Sequence, residues 1–292
     1  MRNNRLIVGL LLLLPLMILI GIFYLYPIIS MSRLSLYSTQ FGFGDLEFNG
    51  LNNFVSLSEN PAFYDAIRNS IIWTILSLVI QLSIPVGLAI LLNQKLKGIS
   101  VARSLILIPW IIPGVVVAIL WRWLLEPTMG ILNQQLVSLG IIDQAINFLG
   151  SRSLALLSLI FINSLKYIPF GTLLILASLQ NIPKSLYEQM DVDGANAWQK
   201  LRFLIMPMIG PMIGFMGFLV LIWNFNVFDL IQMTTEGGPA NATLTIPVLI
   251  YRTAYRTFNM GHSAALSVIV IIIMILAGTL YFKYVWSGSE EV

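Results

Sequence analysis

The chain has 292 residues, 58% of them hydrophobic and only 10% charged, with a net charge of +3. Soluble globular chains carry about 25% charged residues, so this composition belongs to a membrane protein. With no cysteine and a single histidine, His262, disulfides, cysteine metal sites and histidine clusters for metal or general-base chemistry are excluded. No metal and no cofactor is expected. The small positive balance fits cytoplasmic loops of a membrane chain, and no basic, aromatic-interleaved soluble face points to nucleic acid.

A hydrocarbon core of about 30 Å takes roughly 20 apolar residues as a helix. Lipid offers the backbone no partners, so the spans are helices. Six stretches qualify: Leu6–Ile29, Ser70–Leu92, Ser104–Leu125, Leu154–Leu179, Ile209–Met233 and Ser263–Val285. The short alternating strands of an outer-membrane barrel are absent. The expectation is an all-α, polytopic chain with six transmembrane helices in one membrane domain, 1–292.

The first span follows Arg2 and Arg5, as a signal peptide would. Its apolar run of about 24 residues without an A-x-A site favours a retained helix. After it, FGFGDLEFNGLNNF reads as turns, and Pro61 opens a short interfacial helix through Ile67. Arg122 and Glu126, four apart at the end of the third span, are expected to pair with each other or snorkel. Asn241-Ala242-Thr243 matches a glycosylation sequon and is read as a turn. His262 is read as a capping or interfacial residue of the last span.

Orientation follows the lysines and arginines. With the N-terminus inside, the inner segments hold nine: Arg2, Arg5, Lys95, Lys97, Arg103, Lys184, Lys200, Arg202 and Lys283. The outer segments hold six: Arg33, Arg68, Arg122, Arg152, Arg252 and Arg256. Both termini and the loop between the fourth and fifth spans then face the cytoplasm.

That loop, 183–207, is a polar island between two apolar runs. Pro183 suits an early helix position, and Ser185-x-x-Glu188 is a capping-box pattern. Gly194 sits where a C-cap glycine reverses the chain. Asn196 can cap a second short helix bearing Trp198, Leu201 and Phe203. Pro207 and Pro211 fall near the start of the next span. Two short helices joined by a glycine elbow are expected. Leu186, Tyr187, Met190 and Trp198 are expected to anchor a soluble partner beside the charges.

Polar groups at membrane depth are costly and usually functional. In the fourth span Asn163, Lys166 and Phe170 share a helical face, with Tyr167 beside them and Pro169 interrupting the helix. Lys166 reads either as a structural cation with a partner or as a wall group that hydrogen-bonds a polar solute. In the fifth span Trp223 and Val227 share a face, with Asn224 next to them and Asp229 further on.

These motifs together resemble the sugar-type permease subunits of bacterial binding-protein-dependent ABC importers. The resemblance rests on the EAA-like loop with Glu188, Gly194 and Leu204-x-Met206-Pro207. It also rests on Asn163–Phe170, Trp223–Gln232, Gly237-Gly238-Pro239, and Gly261 with Ala264-Ala265-Leu266. It covers nearly the whole chain. In this sequence Gln189 and Met190 replace two customary alanines of the loop, and Leu204 and Met206 replace Ile and Leu.

The resemblance implies a type I ABC importer permease fold in the inner membrane. It implies a second homologous permease subunit as heterodimer partner, an ATPase dimer and an extracytoplasmic solute-binding protein. It places ATPase coupling on Glu188, Asp191, Gly194, Leu204 and Pro207. It places the lining for a carbohydrate on Asn163, Lys166, Tyr167, Phe170, Trp223, Asn224 and Val227. The chain itself has no G-x-x-x-x-G-K-[ST] phosphate loop, so hydrolysis is expected in a separate subunit and the chain is not expected to be an enzyme. Lacking G-x-S-x-G and H-E-x-x-H, it gives no support to an intramembrane enzyme. An ion-coupled secondary transporter is the alternative, but it calls for repeated half-chains and intramembrane carboxylates. Asp229 is the one deep candidate.

Overall fold

The computed structural model describes residues 12–38, 46–94 and 96–283. The start of the first span, Arg2, Arg5, Lys95, the FGFGD stretch and the end of the last span lie outside the described residues.

The chain separates into two compact units. The first comprises residues up to Phe63 together with Leu249–Ile273. In it, α1 (Leu12–Leu34) exposes its apolar side chains all round, as a lipid-facing span does. A two-residue antiparallel ladder follows, β1 (Tyr37–Ser38) with β2 (Glu47–Phe48), closed by an edge-to-face contact of Tyr37 and Phe48 at 5.6 Å. The Asn pair read as a turn is instead inside a helix, α2 (Asn52–Ser58). Asn53 is buried there and donates to the carbonyls of Ser35 (2.8 Å) and Tyr37 (2.9 Å). A Cβ on Gly261 would collide with the Tyr37 carbonyl. Gly261, Ala264, Ala265 and Leu266 are all buried, so this small-residue run permits close approach.

The second unit, Tyr64–Val248 with the C-terminal part from Met274, holds the third to fifth spans and nearly all of the second. The interfacial helix expected from Pro61 and the second span are one helix, α3 (Pro61–Leu92). At 1.5 Å per residue it is about 48 Å long, more than the hydrocarbon core takes. Nothing between Ile67 and Ser70 stops a helix, which is why the two elements fuse.

The third span is not one helix. It is α4 (Ile99–Ile111) and α5 (Gly114–Leu124), bent by 91°. Pro113 lacks an N–H and forces its predecessor out of the helical region; Ile112 has ψ 129° and Pro113 ψ 141°. After α6 (Ile131–Ser138) comes α7 (Ala155–Gln180), the span with the largest buried share at 61%. Pro169 lies inside it without ending it.

The polar island forms α8 (Lys184–Val192) and α9 (Ala197–Lys200). A π-helical turn, Leu201–Ile205, carries α9 into α10 (Met206–Phe225). The fifth span then breaks at Asn226–Phe228 and resumes as α11 (Asp229–Thr234). Two further helices, α12 (Ile246–Tyr255) and α13 (Met260–Tyr281), complete the described chain. Asn241–Thr243 forms a turn with Thr243 buried, in accord with the structural reading of that sequon. Asn259 Oδ1 accepts the His262 N–H at 3.0 Å, so the cap of the last span is Asn259.

A hydrophobic core runs along the loop side of the second unit. It joins Ala89 and Leu92 of α3, Ile175, Leu176 and Leu179 of α7, Ile182, Leu204, and Ile209 and Met216 of α10. Fully burying one such Leu or Ile contributes about 1.5–3 kcal/mol, so this cluster ties the polar island firmly to the spans.

Candidate functional site

The polar island is a folded element. At its elbow Gly194 has φ 74°. Its N–H and that of Ala195 reach back to the Asp191 and Met190 carbonyls at 3.1 and 2.9 Å, satisfying the open end of α8. Asn196 Oδ1 accepts from the Gln199 N–H at 2.9 Å, and Gln199 Oε1 accepts from the Asn196 N–H at 2.7 Å. This reciprocal cap is the one expected to start the second helix. The capping box expected at Ser185 does not form: Pro183 occupies the cap position and Ser185 lies inside α8. Lys200 pairs with Asp191 across the elbow.

Burial divides the island's residues. Leu186, Tyr187 and Met190 pack on the chain's own core, which corrects their assignment as anchors for a partner. Burial also raises the Tyr187 phenol above its ordinary pKa. Leu204 is buried and Pro207 half-buried, so both support the loop from within. Glu188, Asp191 and Gly194 are exposed. Ser185, Glu188, Gln189, Val192 and Asp193 line a shallow outer depression. Trp198 and Phe203 are each 65% exposed, an outward apolar pair.

At the second set of residues the chain assembles two layers. The inner layer is a buried amide network. Asn163 Nδ2 donates to Asn224 Oδ1 at 2.7 Å, and Asn224 Nδ2 donates to Gln81 Oε1 at 3.0 Å. Gln81 Nε2 donates back to Asn224 Oδ1 at 3.3 Å and to Ser164 Oγ at 3.4 Å. All four residues are at most 3% exposed. Asn163 and Asn224, expected in a solute-lining wall, therefore satisfy each other inside the protein. Val227, expected beside them, is buried as well. Gln81 was not singled out in the sequence. A lone amide amid the apolar run of α3 is the signal that would have found it.

The outer layer is aromatic and charged. Trp110 stacks on Phe170 (5.1 Å, 22°), Phe170 meets Trp223 at 5.4 Å, and Trp223 meets Tyr167 at 5.9 Å. Lys166 Nζ lies over the Tyr167 ring at 5.4 Å. Lys166, Tyr167, Phe170 and Trp223 are half-buried, and Trp110 is 39% exposed. Trp110 belongs to the first arm of the broken third span, which is why a straight-helix reading missed it. On the same side of α7, Lys166 also edges a cavity of about 270 Å³ with Pro109, Ile112 and Val117.

Just past the C-terminal end of α5, Glu126 does not pair with Arg122. Its carboxylate accepts the Thr128 and Met129 N–H groups and the Thr128 hydroxyl. The Met129 N–H, then the Thr128 hydroxyl, hold its pKa below the ordinary carboxylate value.

Residues 83–284 match the model of the family described as binding-protein-dependent transport system inner membrane component. Over 283 residues the chain is 34% identical to a probable ABC transporter permease protein of Brucella suis biovar 1, covering 96% of each. Over 275 residues it is 29% identical to the trehalose/maltose transport system permease protein MalF of Thermococcus litoralis, covering 94% of this chain and 92% of that one. Its fold superposes on a chain of a bacterial ABC transporter that imports the acidic polysaccharide alginate. The TM-score is 0.84 at 24% identity, over 100% of this chain and 97% of the other. The broken third and fifth spans, the capped polar island and the apolar helices are thus those of a type I importer permease. This chain belongs to the binding-protein-dependent transport system inner membrane component family, as a multi-pass ABC permease and not an enzyme.

Proposed function

We propose that this chain is the membrane-spanning subunit of an ABC importer that brings a carbohydrate or sugar derivative into the cytoplasm. The observation that carries the sugar class is the run Trp110–Phe170–Trp223–Tyr167 with Lys166 beside it. Aromatic faces take the apolar faces of sugar rings, and an ammonium donates to hydroxyls. The trehalose/maltose relative and the alginate transporter support the same class. In this reading Lys166, Tyr167, Phe170 and Trp223 contact the solute. Asn163, Asn224 and Val227 form the wall behind them in the conformation described.

Transport is driven from the polar island. Glu188, Asp191 and Gly194 meet a separate ATPase subunit, aided by Trp198 and Phe203, while Leu204 and Pro207 transmit the movement to α10. A homologous second permease completes the pathway as a heterodimer, and a solute-binding protein delivers cargo on the outer side. Both termini lie in the cytoplasm. Access alternates as ATP closes the ATPase dimer and the spans rock about the loop.

Proteoliposomes holding the full importer test this directly. ATP-dependent uptake of a saccharide from a panel of neutral sugars and uronates, lost in the Glu188→Lys variant although the complex assembles, is the expected result. Uptake driven by a proton or sodium gradient without ATP would place the chain with the secondary transporters instead.

A further inference from the structure

Lys166 is not alone at its depth in the spans. Asp229 opens α11 just after the break in the fifth span, and Gly114 opens α5 just after the break in the third. α5 and α11 pack closely against each other, and α11 also adjoins α7. A Cβ added to Gly114 would overlap the Asp229 carboxylate and stand 3.2 Å from Lys166 Nζ. Both charges therefore reach the same bare Cα. They do so without closing into a direct ion pair, and both remain half-exposed. Gly114 is the residue that makes room: any side chain there would occupy the space between the two groups.

A lone charge at membrane depth costs roughly 2.5–3.5 kcal/mol on insertion scales. Two opposite charges converging on one point relieve that cost and leave the wall neutral overall. They also leave a donor, Lys166 Nζ, and an acceptor, the Asp229 carboxylate, side by side next to the Tyr167 and Trp223 rings. Neighbouring hydroxyls of an uncharged sugar can use both. An anionic sugar meets the carboxylate as a like charge, and the lysine's attraction is already offset.

We propose that Lys166 and Asp229, brought together over Gly114, are a charge-balanced pair that makes this pathway select uncharged polyhydroxylated solutes and reject anionic ones. Asp229 is thereby the specificity-determining residue. This inference rests on the sugar-import reading and adds the charge of the solute, on which the trehalose/maltose and alginate relatives differ.

The test is equilibrium binding of radiolabelled neutral saccharides and the matching uronates to the purified permease–ATPase complex. Leaving out the binding protein removes that protein's own selectivity from the readout. The wild-type complex is expected to prefer the neutral sugar. Asp229→Asn, which leaves one uncompensated cation, should shift the uronate-to-neutral ratio upward at least tenfold. Lys166→Met, which leaves one uncompensated anion, should shift it the other way. A purely structural pair would weaken both ligands alike and leave the ratio fixed. If a single variant fails to assemble, the exchanged pair Lys166→Asp with Asp229→Lys keeps the balance and should retain the wild-type ratio. Neutral-sugar binding by the wild type with an unchanged ratio in assembled Asp229→Asn, or a shifted ratio in the exchanged pair, overturns the inference alone. A wild-type complex that binds uronates in preference to neutral sugars also overturns it and leaves sugar import standing. Binding of no saccharide at all removes the sugar reading, and the inference with it.

Discussion

Replacing Asn224 with alanine separates a structural amide network from a solute-binding one. Asn224 takes part in three buried interhelical hydrogen bonds to other side chains, one with Asn163 and two with Gln81, and in a fourth to the Val220 carbonyl of its own helix. Interhelical hydrogen bonds in membrane proteins contribute about 0.6 kcal/mol each on average and at most about 1.7. Three lost bonds then cost about 2 kcal/mol. The Asn163 amide left without an acceptor adds about 1–3 kcal/mol of uncompensated burial, giving about 2–4 kcal/mol in all once partial relaxation is allowed. Asn163→Ala removes one of these bonds and should cost about 1 kcal/mol beyond its lost packing. For a chain of this size 1 kcal/mol moves the melting temperature by about 2–4 °C. Asn224→Ala should therefore melt about 5–10 °C below wild type. The assay is thermal unfolding of the detergent-purified complex followed by tryptophan fluorescence, for which the chain has seven reporters. Gln81→Ala and the double variant complete a cycle, and their effects should be clearly less than additive because both remove the same bonds. An Asn224→Ala complex melting within about 2 °C of wild type, while losing sugar binding, would refute the reasoning. Asn224 would then be a solute contact and not a strut.

Further outcomes follow from the same geometry. Trp110→Ala should weaken saccharide binding about two- to twelvefold, the loss of one stacking partner at about 0.5–1.5 kcal/mol, with assembly intact; unchanged binding would take α4 out of the pathway. Gly194→Ala should cost about 1–2 kcal/mol, because the added methyl meets open space but the φ of 74° disfavours a side chain. That loss should appear as lower melting temperature and weaker coupling together. Glu126 gives a pH dependence of known sign. Its folded pKa lies below the ordinary value because the Met129 and Thr128 N–H groups and the Thr128 hydroxyl favour the anion. Its contribution is therefore present at neutral pH and lost as the pH falls through that lowered value. The protection factor of the Met129 amide should fall there in wild type but already be low at neutral pH in Glu126→Gln.

Much of the fold was legible in the sequence because hydropathy and helix punctuation act locally. The apolar runs, the elbow at Gly194 and the cap at Asn196 all follow from residues within one helical turn. The errors arose where neighbours decide. Twenty apolar residues concealed a 91° break, although Pro113-Gly114 announced it. Ser185 lost the cap to Pro183, whose extended ψ of 134° starts the helix two residues earlier and leaves the serine inside it. Leu186, Tyr187 and Met190 read as anchors for a partner because amphipathicity gives the width of an apolar face and not what covers it. The site divided in the same way. Three- and four-residue steps put Lys166 and Phe170 on one face and Trp223 and Val227 on another, and the structure brings Lys166, Tyr167, Phe170 and Trp223 together. The joining of Asn163 to Asn224 through Gln81, and of Lys166 to Asp229 across Gly114, depends on how three or four spans meet. No periodicity within one span encodes that.

In the proposed mechanism a separate ATPase drives this chain through the exposed face of the polar island. Because the chain contains no cysteine, single-cysteine crosslinking in the assembled importer tests it with little background. Glu188→Cys, which is exposed, should crosslink to the ATPase subunit. Leu204→Cys, which is buried beneath it, should not. A Glu188→Cys importer that transports normally yet never crosslinks to the ATPase, under conditions where an outer-end control such as Arg122→Cys does, would contradict the account.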